Sequence, residues 1–454
     1  MTEERGDIVR PTPPASAAAG HPEWLQRRLE WFQDLRFGLI LHWGIYCQWD
    51  CCESWPLVEE DTWARPPHLE CWRERGFDLA RFSRDYRALN RTFNPVDFEP
   101  GAWAAAAGRA GMRYVAFTSK HHDGFCMWDT RTTDYRVTHP DCPFHADPRA
   151  DVLRHVFDAF RARGLAISCY LSKSDWHSPH YWSPHAPART RNPNYDTHEY
   201  PERWERFVQY THRQVAELMR DYGPIDVLWL DGGQVRPPDQ DIRMDRLAAM
   251  ARSHQPGLVI ADRTVGGAHE NFVTPEQMIA EEPLSVPWES CLTMGESWKY
   301  VPGDRLKSVP QLLRMLVEVV SKGGNLLLGV GPTPQGALPG EALERLQGLG
   351  DWMARNAEAI YATRPVPPCR EGEVYFTRRG AQAYAFVFGP DWPERIALRS
   401  VQPADGSRVH LLGWEHPLPW ERRDGEAVVT LPPQARQRAL PEGSWVVRFA
   451  LGQG

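Results

Sequence analysis

Over roughly 300 residues from Trp24 onward, short apolar runs alternate with longer stretches in which apolar positions recur at helical spacing. The runs at 37–43, 114–119, 165–171, 225–230, 258–261 and 325–330 are apolar almost without a break, as strands covered on both faces are. Between them, 101–110, 152–163, 202–222, 241–253 and 309–321 carry one apolar face and one polar face, the pattern of surface helices. Strand–helix alternation on this scale predicts an α/β fold, specifically a (β/α)8-like TIM barrel with a parallel sheet. An open dinucleotide-binding sheet is disfavoured, because no strand is followed by Gly-x-Gly-x-x-Gly.

The helical stretch 341–357 closes this unit, and after Pro365 the period changes. Short alternating segments at 373–376, 381–388, 395–399, 408–412, 427–431 and 445–449 are separated by turn signals such as Arg379-Gly380 and Asp424-Gly425. They predict a small antiparallel β-sandwich. The expected organisation is therefore a flexible tail over 1–20, marked by Pro11-Thr12-Pro13-Pro14 and alanines, a catalytic (β/α) barrel over 21–365, and the sandwich over 366–454.

Composition narrows the partners. A net charge of −7 over 454 residues supplies no general attraction to nucleic acid or to an anionic membrane. No run approaches the 18 or so apolar residues of a membrane span. The start, Met1-Thr2-Glu3-Glu4-Arg5, lacks the basic and apolar regions of a signal peptide, so the expected location is cytoplasmic. Cys47, Cys51 and Cys52 cluster near His42, but the second Cys-x-x-Cys pair of a structural zinc site is missing. The nine cysteines are read as reduced thiols, with no metal and no cofactor expected. The 20 tryptophans fit a sugar ligand, whose C–H faces pack on flat aromatic rings.

In a (β/α) barrel the chemistry sits where the strands end at their C-terminal side. Those ends read His42-Trp43-Gly44, Lys120-His121-His122-Asp123-Gly124, Ser172-Lys173-Ser174-Asp175-Trp176, Trp229-Leu230-Asp231-Gly232-Gly233 and Asp262-Arg263. Asp231 emerges from the most apolar strand, Trp229 shares its face at period two, and the two glycines open room for a ligand. A turn-initiating aspartate is the blander reading. His121 and His122 are adjacent, and neighbours on a strand point to opposite faces, which argues against joint chelation and for hydrogen bonding to hydroxyls. Arg263 is placed to pair with a carboxylate, for structure or for chemistry. Glycoside hydrolysis needs a second carboxylate, and Glu270, Glu276, Glu281, Glu282 and Glu289 all follow Arg263 in a stretch too rich in Pro and Gly for a long helix. Residue type alone does not choose among them.

Taken together, the motifs resemble the α-L-fucosidases of glycoside hydrolase family 29. The matching segments include Arg36-Phe37-Gly38, His42-Trp43-Gly44, Thr118-Ser119-Lys120-His121-His122-Asp123-Gly124-Phe125 and Leu228-Trp229-Leu230-Asp231-Gly232. They continue through Thr274-Pro275-Glu276, Trp288-Glu289-Ser290-Cys291, Ser297-Trp298-Lys299-Tyr300 and Gly323-Gly324-Asn325-Leu326-Leu327-Leu328, so the resemblance spans about 24–365. It implies a barrel with a β-sandwich and a retaining exo-hydrolase for terminal α-L-fucose on glycans or oligosaccharides. By resemblance, Asp231 matches the nucleophile and Glu276 the general acid/base, with Glu289 the alternative. His42, His121, His122, Trp229 and Arg263 match the sugar subsite. Glu53 or Trp55 matches an acidic–aromatic pair whose usual adjacency is broken here by Ser54. Leu171 stands where many relatives have a second tyrosine, Gly329 where an asparagine is common, and the insertion 175–200 is long enough to shape the leaving-group side. Two other readings stay open from the residues themselves: a catalytically silent fucose-binding protein, and a metal-dependent hydrolase using His42, His121, His122 and Asp231. Oligomeric state is left open, a homo-oligomer included.

Overall fold

The computed structural model describes residues 20–389, 393–436 and 444–452. The expected tail, 1–20, lies outside them except for Gly20. Seven strands form one parallel sheet: β1 (Phe37–Leu41), β2 (Tyr114–Lys120), β3 (Ala166–Ser172), β4 (Val227–Asp231), β5 (Val259–Asp262), β6 (Glu289–Thr293) and β7 (Asn325–Val330). They run in the order β5-β4-β3-β2-β1-β7-β6. Six correspond to the apolar runs; β6 was not expected, because its sequence Glu-Ser-Cys-Leu-Thr is half polar.

Between β5 and β6 the described residues contain no eighth regular strand. The irregular segment 269–277 bridges them instead. The Asn271 N–H donates to the Ile260 carbonyl at 2.9 Å, while the Glu289 and Cys291 N–H groups donate to the Val273 and Pro275 carbonyls at 2.9 and 3.1 Å. Pro275, Pro283 and Pro287 lack the N–H that a continuous ladder needs, so this part of the wall is pinned by single bridges. The barrel is TIM-like with one irregular stave.

Side chains alternate across the wall as the pleat dictates. Leu39, Leu41, Leu171 and Leu228 pack outward against the helices. Ile40, Tyr114, Tyr170 and Trp229 point inward, and the helix Glu23–Leu35 fills the lower end of the interior with Leu25, Leu29 and Phe32, all on one helical face. Gly38 is required there, because a Cβ would lie 2.4 Å from the Tyr114 ring. The outer helix Val309–Ser321 starts at a capping box, in which Ser308 and Gln311 satisfy each other's backbone N–H groups. No described helix is long and apolar enough to cross a membrane.

The C-terminal domain holds a six-stranded and a three-stranded antiparallel sheet. The strands Arg364–Glu371, Pro417–Leu418 and Trp420–Arg423 add to the six expected. On the strand Gln382–Phe388, Ala383, Ala385 and Val387 face the smaller sheet. Tyr384, Phe386 and Phe388 face the barrel, where Phe386 stacks on Trp352 with ring centroids 6.3 Å apart. Alternation at period two thus lets one strand build both the sandwich core and its packing against the barrel.

Candidate active site

The C-terminal ends of the barrel strands surround a cavity of about 300 Å³. His42, Glu53, Trp55, His121, His122, Trp229, Asp231, Arg263 and Glu276 all line it. Glu289 does not; it lies on β6 with its carboxylate beneath Trp229.

Asp231 is the last residue of β4. One carboxylate oxygen accepts from the Tyr170 hydroxyl at 2.6 Å; the other accepts from Arg263 Nη1 at 2.7 Å and from the Gly232 N–H at 2.8 Å. His122 Nε2 lies 3.6 Å away. Burial alone would raise the pKa of this carboxyl. The Arg263 charge, with His122 and the Tyr170 hydrogen bond, outweighs burial and holds it well below the usual carboxylate range. Asp231 is therefore ionised throughout the neutral and mildly acidic range.

Arg263 links the site. Its Nη2 donates to Glu276 Oε2 at 2.5 Å and its Nε to Thr274 Oγ1 at 3.0 Å, while its guanidinium lies 4.1 Å from the centre of the Trp229 ring. One buried cation thus spans two carboxylates delivered by different parts of the wall, β4 and the irregular stave. Thr264 and Gln277, which directly follow Arg263 and Glu276, adopt positive φ of 60° and 52°, and Glu53 does so at 33°. Non-glycine residues in this region carry local strain that concentrates at functional sites.

The three histidines are buried and neutral. Desolvation lowers His42 to about 3 and His122 to about 4, against the opposing pull of Asp231, and holds His121 well below its ordinary value. Their ring nitrogens are oriented: His121 Nδ1 is 2.6 Å from Ser54 Oγ, and His122 Nδ1 is 2.6 and 2.9 Å from the hydroxyls of Ser172 and Ser174. His42 Nδ1 has no hydrogen-bond partner among the described residues. The two adjacent histidines do not point to opposite faces, contrary to the strand-based expectation. β2 ends at Lys120, so both lie in the loop, with ring centroids 4.4 Å apart. Potential ligand atoms of His121, His122 and Asp231 come within 4.8 Å of one another, the one grouping among the described residues that could hold a metal ion.

Glu53 and Trp55 both reach the cavity. Glu53 is buried, accepts from Cys52 Sγ at 3.0 Å and from the Lys299 N–H at 3.3 Å, and burial raises its pKa despite these donors. Ser54, the residue that separates the pair, supplies the hydroxyl that orients His121. Cys47, Cys51 and Cys52 stay outside the lining, and all nine cysteines are free thiols.

Glu289 is buried. Tyr114 donates to its Oε2 at 2.6 Å and Trp229 Nε1 to its Oε1 at 3.0 Å. Desolvation pushes its pKa up to about 7, opposed by those two donors and by Arg263. It fixes the Trp229 indole from below.

Several lining residues escaped the sequence reading: Tyr170, Arg191, Gln234, Arg236 and Trp298. Tyr170 had a signal, since it shares the inward face of β3 with Ser172 at period two. Trp298, whose ring lies tilted against His42 with centroids 4.8 Å apart, stood in the matched segment Ser297-Trp298-Lys299-Tyr300 with no role given to it, and Arg191 arrives from a loop with no local pattern to mark it.

The profile of the family described as Alpha-L-fucosidase matches residues 18–358, and that of the Alpha-L-fucosidase C-terminal domain matches 369–450. Human tissue alpha-L-fucosidase is 27% identical over 466 residues, covering 97% of this chain and 93% of that protein. Among solved structures, alpha-L-fucosidase isoenzyme 1 from Paenibacillus thiaminolyticus superposes with a TM-score of 0.77 at 30% identity, covering 95% of this chain and 100% of that one. A Thermotoga maritima alpha-fucosidase in complex with fucose gives a TM-score of 0.73 at 28% identity, covering 93% and 96%. With the barrel, the sandwich and both profile matches in agreement, the chain belongs to the α-L-fucosidases of glycoside hydrolase family 29.

Proposed function

We propose that this α-L-fucosidase is a retaining exo-enzyme that removes terminal α-L-fucose from fucosylated glycans or oligosaccharides, with Asp231 as nucleophile and Glu276 as general acid/base. The observation that carries this reading is the single guanidinium of Arg263 holding both carboxylates at one cavity. Such an arrangement favours the carboxyl separation of roughly 5–5.5 Å used for retention over the wider gap that admits a water for inversion. The Thermotoga maritima fucosidase has also been solved in complex with a mechanism-based inhibitor.

In the first step Asp231 attacks the anomeric carbon while Glu276 protonates the departing glycosidic oxygen. Glycosylation removes the negative charge of Asp231. Glu276 then takes a proton from water as that water attacks the same carbon and frees Asp231. Neutral His42, His121 and His122 can each donate and accept hydrogen bonds, as sugar hydroxyls require. Trp229 offers an apolar wall. Glu289, outside the cavity, is read as the support of that wall rather than as the acid/base.

The test is chemical trapping. A 2-fluoro-fucosyl donor should label Asp231, identified by peptide mass spectrometry, and Asp231→Ala should abolish turnover of an aryl α-L-fucoside. An adduct on another side chain, or net inversion seen by NMR, would sink the assignment. Glu276→Ala should lose far more activity on a poor leaving group than on a good one, with azide giving partial rescue.

The grouping of His121, His122 and Asp231 supports a second reading as a metal-dependent hydrolase. Asp231 already accepts three hydrogen bonds, one from a cation, which makes this site a poor host for a divalent ion. Stoichiometric metal by elemental analysis, with activity lost to a chelator, would reverse the order of the two readings.

A further inference from the structure

The cavity is graded from floor to rim. His122, Trp229 and Arg263 are at most 4% exposed, whereas Trp55, Arg191 and Gln234 are half-buried and Arg236 is exposed. In an exo-enzyme the cleaved sugar occupies the closed end, so the rim faces the leaving group.

Arg191 is held at that rim with unusual care for a loop residue. Its Nε and Nη2 form a two-point pair with Asp61 at 2.9 and 3.0 Å, and its guanidinium lies 4.2 Å from the centre of the Trp55 ring. Its backbone carbonyl accepts from Trp176 Nε1 at 3.3 Å and from the Tyr181 hydroxyl at 2.9 Å. The insertion 175–200 is thereby fastened to the loop that carries Trp55. Nη1 is the nitrogen that Asp61 leaves unused, and the Arg191 charge is felt at His122, beside the nucleophile. Arg236 approaches from the loop after β4. Its one acceptor is the Thr264 carbonyl at 3.3 Å, and no carboxylate pairs with it among the described residues. Gly232 and Gly233 separate it from Asp231 without side-chain bulk. The rim thus presents two guanidiniums against one carboxylate, Asp61, while deeper in the cavity Asp231 and Glu276 share Arg263 and Glu53 accepts from the Lys299 N–H.

We infer that Trp55, Arg191 and Arg236 form a leaving-group subsite for a sugar bearing an acidic substituent, a carboxylate or a sulfate. The inference rests on the fucosidase reading and names its substrate class. The Trp55–Arg191 stack supplies a rigid platform, and Arg191 Nη1 and Arg236 supply charge-assisted donors that only an anionic leaving group uses fully.

The experiment compares kcat/KM for three disaccharides of one linkage, α-L-fucosyl galactose, α-L-fucosyl galacturonate and α-L-fucosyl galactose 6-sulfate, with 4-nitrophenyl α-L-fucoside alongside. At low ionic strength at least one acidic disaccharide should exceed the neutral one by about tenfold or more, the scale of one charge-assisted hydrogen bond. The advantage should shrink as salt is added. Arg236→Met and Arg191→Met should each lower the acidic-to-neutral ratio, and the carboxylate and sulfate arms identify which anion is meant. Because the ratio is taken within one variant, a general loss of folded enzyme does not move it. A neutral disaccharide turned over as well as both acidic ones, or a ratio untouched by Arg236→Met, overturns the inference while leaving the fucosidase reading in place. Absence of turnover on the aryl fucoside as well would fell that reading too.

Discussion

Glu289→Gln separates support from catalysis, because burial has left the wild-type carboxyl with a conspicuous cost. Its pKa stands at about 7 in the folded protein against 4.5 ordinarily, with desolvation the main cause. The folded state therefore holds a proton that the unfolded chain releases. The stability tied to that proton is complete below about pH 4.5 and is lost as pH rises through about 7. At 1.36 kcal/mol per unit, the full effect is about 3 kcal/mol. Glutamine cannot ionise, yet it keeps an acceptor and a donor for Trp229 and Tyr114. The wild-type-minus-variant difference in unfolding free energy, from urea titrations between pH 4.5 and 8.5, should thus fall by up to about 3 kcal/mol toward high pH. Other titrating groups cancel in that difference. Kinetics on poor and good leaving groups should fall together and modestly, as expected for a misplaced Trp229. A difference that stays flat with pH would refute the burial reasoning. A selective collapse on the poor leaving group would make Glu289 the acid after all.

Arg263→Met removes the charge that overcomes the burial of Asp231, so the pKa of that carboxyl should rise. The variant's kcat/KM, besides dropping, should acquire an acid limb absent from the wild type, and an unchanged pH profile would count against the pairing. Gly329→Ala would place a Cβ 2.8 Å from the Trp298 ring and 3.5 Å from the Leu292 carbonyl. Overpacking of this kind costs about 1–3 kcal/mol. Urea unfolding should register that loss, and KM for an aryl fucoside should rise as Trp298 shifts against His42.

Much of the scaffold was legible because it follows from short-range rules. The helix Val309–Ser321 coincides with its expectation from end to end, since a clean apolar face marks it locally, and the structure holds its start with the Ser308/Gln311 capping box. The apolar runs located β1 to β5 and β7 for the same reason: strands covered on both faces leave a continuous signature. β6 was invisible. Its glutamate faces inward to Tyr114 and its serine faces outward to the Met278 carbonyl, so polarity there reports pairing rather than exposure. The adjacent histidines misled because the end of β2 decides whether strand alternation applies to them, and element ends are the least local feature of a strand.

Chain chemistry by itself determined that strands and helices alternate, that a second antiparallel unit follows, and that His42, His121, His122, Trp229, Asp231 and Arg263 stand at or beside strand ends where a barrel gathers its reactive groups. Only the tertiary structure put Glu276 in the cavity and Glu289 beneath its wall, and only it brought Tyr170, Arg191 and Trp298 to the same cavity. The physical reason lies in the open side of the sheet. Hydrogen bonds from β5 and β6 to the irregular stave between them aim Glu276 at Arg263 and bury Glu289 below Trp229, and those bonds join residues that no periodicity along the chain connects.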